Sequence, residues 1–211
     1  MNDVRPARAE RAALVDLMET LGPDAPTLCA GWTTRDLAAH LIMRERRYDA
    51  APGIMLRALR GHAEHVRLAL AERPYPDLLA MVRNPPWWSW SALPPLDNAT
   101  NTIEFFIHHE DVRRGRPDWA PRELDPDLEA ALWRRIKGLA KLHLRRVPAA
   151  VVLNAPGYGE TTAGRGGPDV RVTGSPGELT MFISGRQRSA RVQLTGPEPV
   201  VGKLRTARLG L

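Results

Sequence analysis

The chain has 211 residues, 43% of them apolar and 26% charged, which is the balance of an ordinary globular protein. That length suits one large domain or two small ones, and no apolar run approaches the roughly 20 residues of a membrane span. The formal net charge is +6, but lysine occurs only at 137, 141 and 203 and the arginines form scattered pairs, so a nucleic-acid-binding stripe is not expected.

The N-terminus, Met1 to Glu10, lacks the apolar core of a signal peptide, and no membrane partner is expected. The single Cys29 excludes an intramolecular disulfide framework and agrees with a reducing, cytoplasmic location. From about Arg5 to Leu21, apolar residues recur at helical spacing, and Gly22-Pro23 stops the run. Thr33 or Thr34 can cap a second helix, with Asp36 in its first turn, running through His40 to about Arg47. Pro52-Gly53 breaks it, and helical stretches follow at about 54–72 and 76–83. The segment Asn84 to Pro95 holds Trp87, Trp88 and Trp90 among prolines, so it reads as an ordered loop or aromatic lid. Those tryptophans can wall a pocket or pack in the core.

Asp97 or Asn98 opens a helix that carries Glu104 and His108 and ends near Gly115. A last long helix spans about Asp125 to Arg146. The pattern changes at Pro148. Short β-rich runs lie at 149–153, 169–174 and 190–194, and the Gly-rich stretch 157–167 reads as a hairpin tip. Ser175-Pro176-Gly177-Glu178 is an N-cap, a proline at N1 and a carboxylate at N3, followed by an apolar helix to Ser184; a final helix covers about 199–209. The expected class is α+β: a helical domain at 1–147 followed by a small α/β module at 148–211.

The chemistry concentrates in His40, Glu104 and His108. Glu104 and His108 are four apart, so both leave one face of a helix. Two imidazoles and a carboxylate suit a divalent ion such as zinc, and three protein ligands leave a position for water or substrate. Spacing alone leaves hydrogen-bonded core histidines and an Arg partner for Glu104 as alternatives. Asp36, one turn before His40, and Asp111, three residues after His108, can each take an imidazole N–H, and Arg44 can face an anionic substrate; surface ion pairs are the alternative for all three. His109 is rotated about 100° from His108 and reads as an outer-face or packing residue. His62, His65 and His143 have no spaced carboxylate partner, and Cys29, without an adjacent base, reads as a packing residue.

Gly31-Trp32-Thr33-Thr34-Arg35-Asp36-Leu37-Ala38-Ala39-His40-Leu41 and Glu104-x3-His108 resemble the ligand segments of the mycothiol-dependent maleylpyruvate isomerase family, within the DinB-like group of metal-binding four-helix bundles. Val172 to Leu179 and Ser184-Gly185-Arg186 resemble the small domain appended in that family. Thr27-Leu28-Cys29-Ala30-Gly31-Trp32 and His108 to Arg114 look like an actinobacterial metal-binding subfamily. The resemblance implies a DinB-like four-helix bundle with extra helices, a metal held by His40, Glu104 and His108, and mycothiol as a small-molecule thiol acting on a small electrophile. Arg44 and Arg186 are the candidates for thiol or substrate contact. Isomerisation and thiol transfer are the reactions this implies. A hydrolase using bound water and a non-enzymatic metal-binding module stay open, as do the metal, the substrate and a monomeric or homodimeric state.

Overall fold

The computed structural model describes residues 6–89, 94–145, 147–167 and 169–210. Trp90 therefore lies outside the described residues. Two compact units divide the chain, Met1–Ala120 and Pro121–Leu211.

The first unit is helical. It contains α1 (Pro6–Leu21), α2 (Thr34–Arg46), α3 (Arg60–Ala71), α4 (Tyr75–Arg83) and α5 (Pro94–Arg113). Thr33 is the N-cap of α2, and Asp36 turns back to accept from the Thr33 backbone N–H at 3.0 Å, which fixes the entry into the helix. The single helix expected at 54–72 begins instead with two 3-10 turns, Ala51–Ile54 and Arg57–Leu59, before α3. The apolar core joins Leu14 and Met18 of α1, Leu37 and Leu41 of α2, Leu78 of α4, and Phe105 and Val112 of α5. α1 runs against α5, and α4 packs on α1 and α2. α5 opens at Pro94, earlier than Asp97, because proline is tolerated in a first helical turn.

The second unit begins with α6 (Pro126–His143), capped by the Asp125 carboxylate on the Asp127 N–H at 2.8 Å. Its sheet has four strands, β1 (Ala150–Ala155), β2 (Gly159–Gly164), β3 (Asp169–Thr173) and β4 (Gln193–Thr195), in the order β2-β1-β3-β4. β1 pairs antiparallel with β2 and parallel with β3; β3 pairs antiparallel with β4. The stretch read as a hairpin tip therefore holds a strand. The turn itself is confined to the three residues between Ala155 and Gly159, and Thr161, Thr162 and Ala163 pair with β1. β-Branched threonines favour that pairing despite the flanking glycines. α7 (Pro176–Ile183) starts at the expected Ser175 cap, and α8 (Glu198–Thr206) closes the unit. Trp133, Ile136 and Ala140 of α6 share one core with Val151, Leu153, Val170, Val172, Phe182 and Leu204. The long helix is thus part of the C-terminal compact unit.

Trp87 and Trp88 are exposed, at 88% and 49%, so neither packs in a core; Trp88 meets Tyr48 edge-on with centroids 5.7 Å apart.

Candidate metal centre

α5 carries a polar stripe at Asp97, Asn101, Glu104, His108 and Asp111. The intervals of four, three, four and three residues keep all five on one face. α2 offers His40 and Arg44, again one turn apart. These two faces build the site.

His40 Nε2 lies 3.5 Å and His108 Nε2 lies 3.3 Å from the same oxygen, Glu104 Oε1. The imidazole centroids are 5.3 Å apart, with the rings nearly edge to face. One ligand atom from each of the three residues falls within a 4.8 Å cluster. Both imidazoles are buried, whereas the Glu104 side chain keeps 26% of its surface, so the cluster has one side open.

Arg44 Nε sits 3.3 Å from Glu104 Oε1, and Arg44 Nη1 donates to Asn101 Oδ1 at 2.6 Å. The guanidinium is thus engaged with the site's own carboxylate. Behind it, Asn101 donates to Asp97 at 2.7 Å and to Glu45 at 3.2 Å, and Arg11 makes a double contact with Glu45 at 2.5 and 2.7 Å. Arg11 also donates to the Val82 carbonyl and lies over the Phe105 ring at 4.1 Å. Every charge in this buried chain has a partner of opposite sign or a hydrogen bond, as burial requires.

On the other side, His108 Nδ1 is 3.0 Å from Asp111 Oδ2, the partnership expected for one of the two neighbouring carboxylates. Such a carboxylate fixes the tautomer and leaves Nε2 to act as a ligand. Asp36 does not do this for His40. It pairs with Arg67 Nη1 at 2.5 Å, because α3 lies against α2 there. Arg67 in turn covers the Trp32 ring at 5.0 Å, and Trp32 lies 5.1 Å from the His40 ring.

Cys29 corrects the packing reading. Its Sγ is 3.2 Å from Asp111 Oδ2, and Cys29, His108 and Asp111 form a second group whose ligand atoms lie within 4.8 Å of one another. Nothing local in the sequence joins Cys29 to Asp111, since 82 residues separate them. His109 is buried, with Nδ1 3.0 Å from Glu10 on α1, so of the two roles expected for it packing is the one found. Exposed His62 finds Asp49 at 2.9 Å, and His143 Nδ1 donates to the Ile183 carbonyl at 2.9 Å. Arg186 Nη1 donates to the Ser184 carbonyl at 2.7 Å. A cavity of about 460 Å³ in the second unit, lined by Leu142, His143, Val147, Val200, Lys203 and Arg208 among others, contains none of the His40–Glu104–His108 group.

Burial opposes charge on all three central groups. For Glu104 the hydrogen bonds from His108 and His40, with the Arg44 charge, outweigh burial and hold the carboxyl well below its usual range. For His108 burial is overcome by hydrogen bonds to Asp111, Cys29 and Glu104, which hold the imidazole well above its usual value. For His40 burial wins, despite Glu104, and its pKa is lowered. Their neighbours thus favour the charged forms of Glu104 and His108, whereas burial disfavours the charged form of His40.

Fold and donor set together define an α+β protein whose helical unit carries a His-Glu-His group that could hold a metal ion. The chain belongs to the mycothiol maleylpyruvate isomerase N-terminal domain family, whose model matches residues 4–146. Its fold is similar to the crystal structure of a mycothiol-dependent maleylpyruvate isomerase, with a TM-score of 0.53, 17% identity and 90% of each chain covered. A histidine-to-alanine variant of a mycothiol-dependent maleylpyruvate isomerase matches with the same figures. No curated protein matches the sequence significantly. No helix among the described residues is long and apolar enough to cross a membrane.

Proposed function

We propose that this protein is a metal-dependent enzyme of the mycothiol class that isomerises a small electrophile or transfers a thiol to it. One observation carries the metal reading. The contacts of 3.3 and 3.5 Å around Glu104 Oε1 are long for charge-assisted hydrogen bonds, which run about 2.7–2.9 Å. They match the roughly 3.3–3.5 Å that separates ligand atoms in a tetrahedron around zinc. In the adjoining network Arg11 closes to 2.5 Å on Glu45, whereas His40, His108 and Arg44 all stay 3.3–3.5 Å from Glu104 Oε1. Zinc or another divalent ion held by His40, Glu104 and His108 would lower the pKa of a thiol bound at the open position.

The protein's own groups serve the remaining needs. Asp111 holds His108 with Nε2 forward, Trp32 shields His40, and the two imidazoles together with Arg44 favour ionised Glu104. Arg44, already engaged with Glu104 and Asn101, and Arg186 are the candidate contacts for the thiol or an anionic substrate. We take 1–147 as a domain of the DinB-like four-helix type with extra helices, its last helix α6 packed on the appended module 148–211. The thiolate would add to a conjugated double bond, and expulsion of the thiol after rotation would give the isomer.

The test compares wild type with His108→Ala and Glu104→Ala for metal content by mass spectrometry. About one equivalent in wild type, lost in both variants, supports the site; assays with mycothiol and a panel of electrophiles follow. Folded, metal-free wild type that gains nothing from added zinc sinks the proposal. Turnover without thiol would replace isomerisation by hydrolysis.

A further inference from the structure

The motif Thr27-Leu28-Cys29-Ala30-Gly31-Trp32 has so far only Trp32 in a role. Its turn is tightly built. Pro26 and Thr33 form an isolated antiparallel bridge, Trp32 N–H donates to the Cys29 carbonyl at 2.9 Å, and Thr27 Oγ1 donates to the Trp32 carbonyl at 2.9 Å. Gly31 takes φ of +79°, a conformation that disfavours side chains. The turn is registered on α5 by Leu28 N–H donating to the Asp111 carbonyl at 3.0 Å. Gly115 permits this approach, because a Cβ there would run into the Pro26 and Thr27 backbone. The turn is thus fastened to α5 at the residue that orients His108.

We propose that Cys29 is a positioning residue of the metal centre: its thiol donates to Asp111 Oδ2 and holds that carboxylate against His108 Nδ1. This rests on the His40–Glu104–His108 reading. Asp111 has no exposed side-chain surface, so each hydrogen bond to it counts for more than at the surface. Both Cys29 Sγ, at 3.2 Å, and His108 Nδ1, at 3.0 Å, converge on the same oxygen. The sulfur fixes how far that oxygen can swing from the ring. The alternative, an ion held by Cys29, Asp111 and His108 Nδ1, would replace the Asp111–His108 hydrogen bond and leave Nε2, rather than Nδ1, carrying the proton at the Glu104 face.

Cys29→Ala, Cys29→Ser and Asp111→Asn full-length proteins are compared with wild type for zinc affinity, by chelator competition, and for metal-free melting temperature. Loss of a group that orients a ligand costs about 10–100-fold in metal affinity. Asp111→Asn is expected in that range and Cys29→Ala at its lower end. Cys29→Ser, which keeps a donor, recovers most of the affinity. Wild-type affinity in Cys29→Ala overturns the role. So does a fall in metal-free melting temperature, equal in the Ala and Ser variants, with affinity unchanged, since that marks packing alone. An intense thiolate-to-cobalt charge-transfer band in cobalt-loaded wild type, absent from Cys29→Ala, overturns it by making Cys29 a ligand. Wild type that binds no zinc removes the metal reading and this role together, whereas an effect missing only in Cys29→Ala removes this role alone.

Discussion

The two compact units solve burial in opposite ways. The C-terminal unit closes on an apolar core of Leu, Val, Ile, Ala and Phe with Trp133 at its edge, and it buries only Thr180 and Ser184 as polar side chains among the described residues. The helical unit buries Glu10, Arg11, Glu45, Asp111, Arg114 and both candidate histidine ligands, among others. Buried ion pairs are a poor route to stability, because desolvation offsets most of their attraction. A unit that spends its interior on them has another constraint to meet. Here the charged chain from Arg11 through Glu45, Asn101 and Arg44 leads to Glu104, and the chain from Cys29 through Asp111 leads to His108. The comparison teaches that the helical unit is built around its site and the C-terminal unit around its core.

That contrast can be broken by mutation. Glu45→Ala removes the carboxylate that Arg11 contacts twice inside the helical unit, leaving the guanidinium to the Val82 carbonyl and the more distant Asp97, and should cost about 3 kcal/mol in chemical denaturation, the low end for breaking a buried pair. A cost under about 1 kcal/mol would mean that water reaches the network and that it is not a true interior. Leu153→Ala, at a fully buried position of β1, should cost about 2–5 kcal/mol, the usual range for a large-to-small core change. It should leave zinc affinity unchanged; a linked loss of metal would end the division of labour.

The smallest effect is a pH dependence. His108 is held well above its ordinary value, so its contribution to metal-free stability is complete below about pH 6.5. It is lost as pH rises through the raised pKa. His40, held below its ordinary value, acts in the opposite sense as pH falls beneath about 6.5, because the unfolded chain takes up that proton. The metal-free melting temperature should therefore decline above neutrality, and His108→Gln should flatten the decline. Metal reverses the trend, since an ion must displace the His108 Nε2 proton and binds better as pH rises. Melting curves with chelator and with zinc across pH 6–9 check both signs; parallel curves would remove His108 from the ligand set.

Much of this was legible in the chain. The helical period marks α1, α2, α4, α5 and α6 within a few residues, the Ser175-Pro176 cap marks α7, and Glu104-x3-His108 places two donors on one face. The α5 stripe at 97, 101, 104, 108 and 111 was also readable, and its four-three spacing is the signal that would have brought Asp97 and Asn101 into the site. The hairpin-tip expectation at 157–167 held only for the turn at 156–158, because Thr161 and Thr162 pair with β1 despite the flanking glycines. Asp36 and Asp111 were equal candidates to orient an imidazole, and only packing separated them, by bringing Arg67 to Asp36.

Sequence by itself determined which elements form and which residues share a helical face, and it singled out two histidines and one glutamate as candidate ligands. Periodicity and caps act over a few residues, so they survive without knowledge of the fold. Tertiary structure alone decided that Arg44 turns onto Glu104, that Trp32 lies beside His40, and that Cys29 reaches Asp111. Those contacts join residues 60 to 82 positions apart or depend on which helix packs behind them, and no local pattern encodes a distance across the chain.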